Sequence, residues 1–317
     1  MQAAQPALQK LNRWLKLTLL SVLTLIVIGG IVRASGSGMG CPDWPRCFGQ
    51  WIPPVSESQL PPDYQIKYSA HGNTAQPFNA ARTWTEYLNR LAGVTVGFLF
   101  LGLVWHAWQV RTIDRSQLTL AVVGTALVGF QGWLGARVVA STLAPMVVTT
   151  HMMVALIILA VLVVQRVRLR STLSLEIRPV NRPPMFLGWS MGLGVGLSLV
   201  IMLGTQVRES IDTITDNLSI PLPPNWTQIV GWGLDIHKWL AVALFFGLIF
   251  FCRQLIDHNP TNDRILRQIK WMMALFITQL ATGAIFILLN VPSVLQPIHL
   301  GLAAALFVLY LELILTP

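Results

Sequence analysis

Eight apolar segments of about 20 residues each divide this chain, and they constrain its fold more than any other feature. About 20 helical residues span the hydrocarbon core of a bilayer. Apolar residues make up 54% of the 317 residues and charged residues only 11%. The sequence therefore predicts an all-α membrane protein with eight transmembrane helices. The segments lie near residues 14–33, 88–110, 117–139, 144–165, 185–207, 230–253, 268–290 and 294–315.

The positions of the basic residues predict the orientation of the helices. The net charge is +9, but the basic residues do not gather on one soluble face, so we expect no nucleic-acid binding. They precede the first segment and follow the even-numbered ones, and cytoplasmic loops are enriched in Lys and Arg. We therefore expect cytoplasmic N and C termini in a bacterial inner membrane or its equivalent, with loops 41–82 and 208–225 on the periplasmic or luminal side. The residues concerned are Lys10, Arg13, Lys16, Arg111, Arg115, Arg166, Arg168, Arg170, Arg178, Arg182, Arg253, Arg264, Arg267 and Lys270.

The second half of the chain repeats the pattern of the first. An offset of 175 residues aligns Gly29 with Gly204 at the ends of the first and fifth segments, and an offset of 148 residues aligns the later segments. The pairs include Arg33 and Arg208, Trp84 and Trp232, Arg90 and Lys238, Gln131 and Gln279, Gly135 and Gly283, and His151 and His299. We therefore predict two pseudo-symmetric four-helix bundles, residues 1–175 and 176–317.

The first half carries an insertion of 27 residues in its outer loop, the difference between the two offsets. We expect this insertion to form an ordered, mostly irregular cap, because it contains aromatic residues that need burial. These residues are Trp44, Phe48, Trp51, Tyr64 and Tyr68. The first segment also fits a cleaved signal peptide, with basic residues before it and small ones after it. Its place in the repeat favours a retained helix instead.

Three histidines near the outer ends of predicted helices are candidate metal ligands. A histidine inside a membrane segment is costly, and a single one commonly bonds to a neighbouring helix. His237 and His299 lie at similar depth in the second half, 62 residues apart. We predict that this pair binds one heme iron from both sides, which suits electron transfer because no position on the iron stays open. Zinc is the alternative metal, but it needs three or four protein ligands.

The first half has a different set of residues at the equivalent position. His237 aligns with Asn89, a poor iron ligand, so His151 would supply the one strong bond to iron there. Glu86 lies one helical turn before Asn89 and has no acidic counterpart in the second half. A carboxylate beside an iron with a weak or open side is a candidate for proton transfer. The alternative role for Glu86 is a salt bridge with Arg90, four residues along.

Five cations at outer helix ends are candidate partners for heme propionates. Arg33, Arg90 and Arg137 lie in the first half, and Arg208 and Lys238 lie in the second. Each could instead extend its side chain to the lipid headgroups. The equivalence of Arg33 with Arg208, and of Arg90 with Lys238, across the repeat favours a paired role for these four.

Cys41 and Cys47 flank Pro-Asp-Trp-Pro-Arg in the outer loop. Two cysteines so close, separated by turn residues on the oxidising side of a membrane, predict a disulfide. The bridge could be a static link, or it could be redox-active because it closes a short loop near solvent. Cys252 has no partner in this pattern. His71, in the same cap, is the one other histidine that could lie over the first-half site.

Three stretches of the chain resemble the heme A synthase family. They are the run Gly36-Ser-Gly-Met-Gly-Cys41-Pro-Asp-Trp-Pro-Arg-Cys47, the stretch Glu86-Tyr-Leu-Asn-Arg90, and the histidines of segments four, six and eight. The resemblance covers nearly the whole chain. It implies oxidation of the C8 methyl group of heme O to a formyl group, by two hydroxylations and loss of water, to give heme A for terminal oxidases.

The resemblance also implies which residues serve each site. His237 and His299 would bind a resident heme b, and the first half would bind heme O supplied by a heme O synthase. Glu86 matches the acidic residue of the family's Glu-x-x-His-Arg motif. Asn89 departs from that motif, which has histidine there, so ligation of the substrate by two histidines is not expected.

Two other functions fit part of the pattern. A diheme membrane cytochrome that transfers electrons from quinol would need two equivalent sites, and Asn89 argues against that equivalence. A heme or small-molecule transporter would use a repeated bundle, but such carriers often have broken helices at the middle of the membrane. In this sequence the polar residues lie at one edge of the predicted bundle.

Overall fold

A computed structural model of the chain describes residues 5–69, 77–173, 180–218 and 222–316. Within these ranges, eight helices are long and apolar enough to cross a membrane, which confirms the predicted fold class. They are α1 Gln5–Ala34, α3 Ala80–Gln109, α4 Arg115–Ala140, α5 Pro145–Thr172, α6 Phe186–Leu218, α8 Trp232–His258, α9 Asp263–Leu288 and α10 Leu295–Leu315. Two short helices, α2 Tyr64–Lys67 and α7 Trp226–Val230, lie in the connections. His71 and Arg178 fall outside the described residues.

Helix α6 extends beyond its predicted end at residue 207, into the expected outer loop. Arg208 and Asp212, one turn apart, form an ion pair along this extension. Ile211 is buried against Trp226 and Leu234. The polar composition of the stretch predicted a loop, but the ion pair and the buried apolar residue stabilise a helix instead.

Residues Met1–Leu162 and Gln296–Ile298 form one compact unit. In this unit α1 packs along α3, and α3 packs along α4. Trp14 Nε1 donates a hydrogen bond to the carbonyl oxygen of Leu99, at 2.8 Å. A methyl group at Gly102 would lie 2.4 Å from the Trp14 ring, so the close approach of α1 to α3 requires glycine there.

The cap between α1 and α3 has an apolar core of its own. Its buried residues are Cys41, Cys47, Phe48, Leu60 and Tyr64. Cys41 and Cys47 form the predicted disulfide. The expectation that Trp44 and Trp51 would be buried was wrong, because they are 53% and 63% exposed. The Arg46 guanidinium lies over the Trp51 ring, 5.3 Å from its centroid, and cation–π contacts are found at exposed sites.

Residues Val163–Leu295 and His299–Pro317 form the second unit. In this unit α6 packs along α8, and α8 packs along α9. A methyl group at Gly196 would lie 2.4 Å from the Leu244 side chain, so glycine allows α6 and α8 to approach closely. Gly231 separates α7 from α8 with φ of +65° and ψ of −140°, a conformation open to glycine.

A buried carboxylate lies near the C-terminal end of α10. Glu312 is 5% exposed and pairs with Arg166 of α5. Arg170 Nη1 lies 3.9 Å from the other oxygen of Glu312. These contacts connect the end of α5 to α10 through paired charges that are largely withdrawn from solvent.

Candidate functional site

His237 lies in the second turn of α8, and helix α6 holds its ring. Nδ1 of His237 is 3.0 Å from the carbonyl oxygen of Val200. A carbonyl oxygen can only accept a hydrogen bond, so Nδ1 carries the proton and Nε2 keeps a free lone pair. A methyl group at Gly204 would lie 3.0 Å from Cε1 of the ring. Helix α6 therefore fixes both the position and the tautomer of His237.

His299 lies in the second turn of α10, and helix α9 holds its ring. Nδ1 of His299 is 2.8 Å from Oγ1 of Thr282. The Thr282 hydroxyl donates its one proton to the carbonyl oxygen of Gln279, at 2.9 Å, so it must accept from Nδ1. The ring also lies beside Gly283, where a methyl group would be 3.7 Å from Cε1, and its centroid is 5.0 Å from that of Phe286. Nε2 of His299 again keeps a free lone pair.

His237 and His299 lie on helices α8 and α10 of the same compact unit. Two neutral imidazoles with available Nε2 atoms, on helices α8 and α10, form a donor set suited to axial ligation of a heme iron. The residues present therefore fit a heme held by two histidines. Zinc prefers three or four ligands at one point. In the part of the chain that the structure describes, no group of three or more His, Cys, Asp or Glu residues could hold a metal ion.

The two predicted propionate partners of the second half each have a carboxylate on their own helix. Arg208 pairs with Asp212 on α6. Lys238 Nζ lies 2.7 Å from Asp235 Oδ1 on α8, and these two side chains are 39% and 60% exposed. A heme propionate that binds Arg208 or Lys238 would therefore share that cation with Asp212 or Asp235.

His151 lies in the second turn of α5, with the same glycine contact and a different hydrogen bond. A methyl group at Gly135 would lie 3.6 Å from Cε1 of His151, close to the 3.7 Å found between Gly283 and His299. Gln131 donates to the backbone carbonyl oxygen of His151, at 2.8 Å, rather than to its ring. Nδ1 of His151 is buried, and it has no hydrogen-bond partner among the described residues.

Asn89 lies on α3 at the position that aligns with His237 on α8. Gly29 aligns with Gly204 by the offset of the first helix. No heavy atom among the described residues lies within 4 Å of a methyl group built at Gly29, whereas Gly204 touches the His237 ring. The contact by which Gly204 holds the His237 ring therefore has no counterpart at Gly29 among the described residues.

Glu86 is buried on α3, with 3% of its surface exposed, and it binds the cap. Its Oε2 accepts a hydrogen bond from the backbone N–H of Cys41, at 2.7 Å, and its Oε1 lies 2.5 Å from Nη2 of Arg90. One turn earlier, Thr83 donates to the carbonyl oxygen of Gly40, at 2.9 Å. The salt bridge that was the alternative role for Glu86 is therefore present.

Arg90 binds the disulfide loop of the cap, a contact that the sequence did not predict. Its guanidinium donates to three backbone carbonyl oxygens, those of Cys41, Asp43 and Arg46, at 2.7 to 2.9 Å. Together with the bond to Glu86, these contacts use both terminal nitrogens. The other two predicted cations of this half, Arg33 and Arg137, lie in the last turns of α1 and α4.

Three residues that position the site were missed in the sequence. Val200 and Thr282 hold the second-half imidazoles. The carboxylate of Asp43 accepts from the backbone N–H groups of Phe48 and Gly49 and so closes the disulfide loop. Only Thr282 leaves a signal, because the repeat aligns it with the apolar Leu134.

Comparisons with known proteins cover nearly the whole chain. The family described as COX15-CtaA, cytochrome oxidase assembly protein, matches residues 12–311. The heme A synthase of Bartonella quintana is 28% identical over 338 residues, which cover 95% of this chain and 91% of the relative. The heme A synthase of Sphingopyxis alaskensis is 31% identical over 286 residues, which cover 80% and 78%. The chain therefore belongs to the COX15-CtaA family of cytochrome oxidase assembly proteins, together with these heme A synthases.

Proposed function

We propose that this chain is a heme A synthase, an integral membrane oxidoreductase that converts heme O to heme A for cytochrome oxidase. The observation that carries this proposal is the pair of imidazoles on α8 and α10, both with Nε2 available, in a chain that matches the family over residues 12–311. The reaction is oxidation of the C8 methyl group of heme O to a formyl group by successive hydroxylations.

The second half is the proposed site of a resident heme b. His237 and His299 would ligate its iron, while Val200 and Thr282 hold the two rings in place through Nδ1. A heme ligated on both sides supplies one-electron transfer. Arg208 and Lys238 are the proposed partners for its propionates.

The first half is the proposed site of the substrate, heme O. His151 would hold the substrate from α5, and Asn89, a poor iron ligand, stands on α3 where the second half has His237 on α8. Arg33 and Arg137, at the ends of α1 and α4, are the proposed partners of the substrate propionates. We assign Arg90 to this site only through the cap, because its bonds go to the disulfide loop and Glu86.

Glu86 is the proposed proton acceptor for the oxidation. A hydroxylation that takes its oxygen from water, R–CH3 + H2O → R–CH2OH + 2 H+ + 2 e−, passes its electrons to a one-electron relay such as the resident heme and releases protons, which a buried carboxylate beside the substrate can accept. To accept a proton, Glu86 must weaken its bond to Arg90 or to the Cys41 N–H. Proton transfer would then loosen the disulfide loop at the same moment.

The proposed location is the bacterial inner membrane or an equivalent membrane, with both sites near the periplasmic face. The basic residues on one side of the sequence-predicted spans support this orientation. A heme O synthase in the same membrane is the proposed supplier of substrate. The proposed halves are residues 1–175 and 176–317, and the similar glycine contacts of His151 and His299 support their equivalence.

Co-expression with a heme O synthase tests this function. Hemes extracted from the membranes are separated by chromatography, and we expect heme A or its hydroxylated precursor in cells with this chain. Cells with the synthase alone provide the control and should contain heme O only. Unchanged heme O, together with two hemes per purified chain, would favour a diheme electron carrier instead.

A further inference from the structure

The three candidate heme ligands differ in the hydrogen-bond partner of Nδ1, the ring nitrogen that would not bind iron. His237 and His299 each have a partner for Nδ1, a carbonyl oxygen and a hydroxyl oxygen respectively. His151 has no such partner among the residues that the structure describes, although its Nδ1 is buried. The difference separates the two proposed sites and does not depend on Asn89.

One residue position accounts for the difference between His299 and His151. Thr282 precedes Gly283, which touches the His299 ring, and the offset of 148 residues aligns this pair with Leu134 and Gly135. The glycine contacts of the two rings agree within 0.1 Å, at 3.7 and 3.6 Å. Leu134 is buried, at 5% exposure, and its side chain offers no acceptor. A hydroxyl at position 134 would therefore lie where the Thr282 hydroxyl lies.

A hydrogen bond at Nδ1 changes how strongly an imidazole holds a metal. It fixes the ring and its tautomer and raises the basicity of the ligating nitrogen. Loss of such a partner typically lowers metal affinity by about 10- to 100-fold. His151 lacks this hydrogen bond at Nδ1 among the described residues. It lies at the proposed substrate site, whose heme must leave after each reaction.

We propose that position 282 and its counterpart 134 determine which heme is permanent and which exchanges. Thr282 strengthens His299 so that the second half retains its heme through many turnovers. Leu134 leaves His151 without this support, so that substrate enters and product leaves the first half. This inference rests on the proposed function and adds to it a pair of positioning residues.

The test uses isosteric substitutions and heme b itself as the probe. Purified protein is loaded with heme b, and transfer to excess apomyoglobin is followed by its absorption. Thr282→Val removes the hydroxyl with little change of shape, and Leu134→Thr adds one. Thr282→Ser keeps the hydroxyl, and Leu134→Val matches the shape of threonine without it, so these two variants are the controls.

We expect a slow and a fast phase of heme transfer from the wild-type protein. Thr282→Val should accelerate the slow phase by about tenfold or more. Thr282→Ser keeps the hydroxyl and should therefore keep the slow phase near the wild-type rate. Leu134→Thr should slow the fast phase by a similar factor, whereas Leu134→Val should not slow it. Equal rates for Thr282→Val and wild type would overturn the proposal, as would slowing by Leu134→Val to the extent seen with Leu134→Thr.

These rates separate the inference from the assignment of the enzyme. If the rates change as expected but co-expression gives no heme A, the positioning roles stand and the proposed reaction fails. If heme A forms while Thr282→Val keeps the wild-type rate, the reaction stands and the positioning role of Thr282 fails. The absorption spectrum of each loaded variant, recorded before transfer, reports that heme is bound at the start.

Discussion

At the scale of single residues, each imidazole of the proposed resident site is anchored through Nδ1 and offers Nε2. Replacing His237 or His299 with alanine removes one of the two Nε2 donors. We expect each variant to lose the low-spin heme b spectrum of the purified protein. His258→Ala is the matched control, because His258 is exposed at the other end of α8 and should be dispensable. A low-spin spectrum retained in both histidine variants would refute the assigned ligands.

Glu86→Gln separates charge from hydrogen bonding at the proposed substrate site. The glutamine oxygen can still accept from the Cys41 N–H, but the side chain can no longer take up a proton or balance the charge of Arg90. We expect the heme b spectrum to persist and heme A formation to fall by about 10²- to 10⁴-fold, the usual contribution of a general base. Glu57→Gln, an exposed carboxylate in the cap, is the control. Undiminished heme A formation would remove Glu86 from the mechanism.

Sequence patterns indicated the candidate ligands better than the groups that hold them. The repeat pointed to His151 and His299, because it aligns them, and the position of His237 near the outer end of its segment pointed to the third ligand. It did not predict the bond of Arg90 to the disulfide loop, because backbone carbonyl oxygens carry no sequence signal. Thr282 was missed because it lies on a different helix from the ring that it holds.

At the scale of elements, Arg90 fixes the disulfide loop to α3. A lysine there keeps the charge but loses the planar fork that reaches several carbonyl oxygens at once. Loss of even one charge-assisted bond, worth about 1.5 kcal/mol, raises the opened fraction of the loop about tenfold. We therefore expect Arg90→Lys to speed reduction of the Cys41–Cys47 bridge by dithiothreitol, measured by thiol labelling. Arg46→Lys, at an exposed side chain, should leave the rate unchanged, and equal rates for both variants would argue against this role.

Helices α5 and α10 are connected by a largely buried group of charges, Glu312 with Arg166 and Arg170. The pair of Asp235 and Lys238 on α8 is much more exposed. Glu312→Gln would leave Arg166 and Arg170 without their counter-charge, and breaking a buried pair costs about 3–5 kcal/mol. We expect a clearly lower midpoint of thermal unfolding in detergent. Asp235→Asn removes a carboxylate that is 60% exposed, so its midpoint should stay near that of the wild type. Similar midpoints for both variants would contradict the structural role of Glu312.

The number and order of the long helices followed from hydropathy, whereas their ends did not. Runs of about 20 apolar residues indicate a membrane span whatever the tertiary contacts are. The continuation of α6 to Leu218 depends on the packing of Ile211 against Trp226, a contact between residues that are distant in the sequence. Hydropathy alone cannot register such a contact.

At the scale of the whole molecule, the two halves carry similar candidate sites to which we assign different tasks. One site offers two imidazoles, both supported at Nδ1. The other offers one imidazole without that support, an asparagine, and a buried carboxylate bound to a disulfide loop. A diheme electron carrier would retain both hemes, whereas an enzyme with a resident and a passing heme needs one site that releases its ligand.

Electron paramagnetic resonance of purified protein loaded with heme O tests this inequality most directly. We expect two hemes per chain, of which only one gives the low-spin signal of an iron bound by two imidazoles. His299→Ala should abolish that signal and leave the signal of the second heme unchanged. Two identical low-spin signals, or a purified chain that binds no heme, would show that the protein does not hold two unequal heme sites.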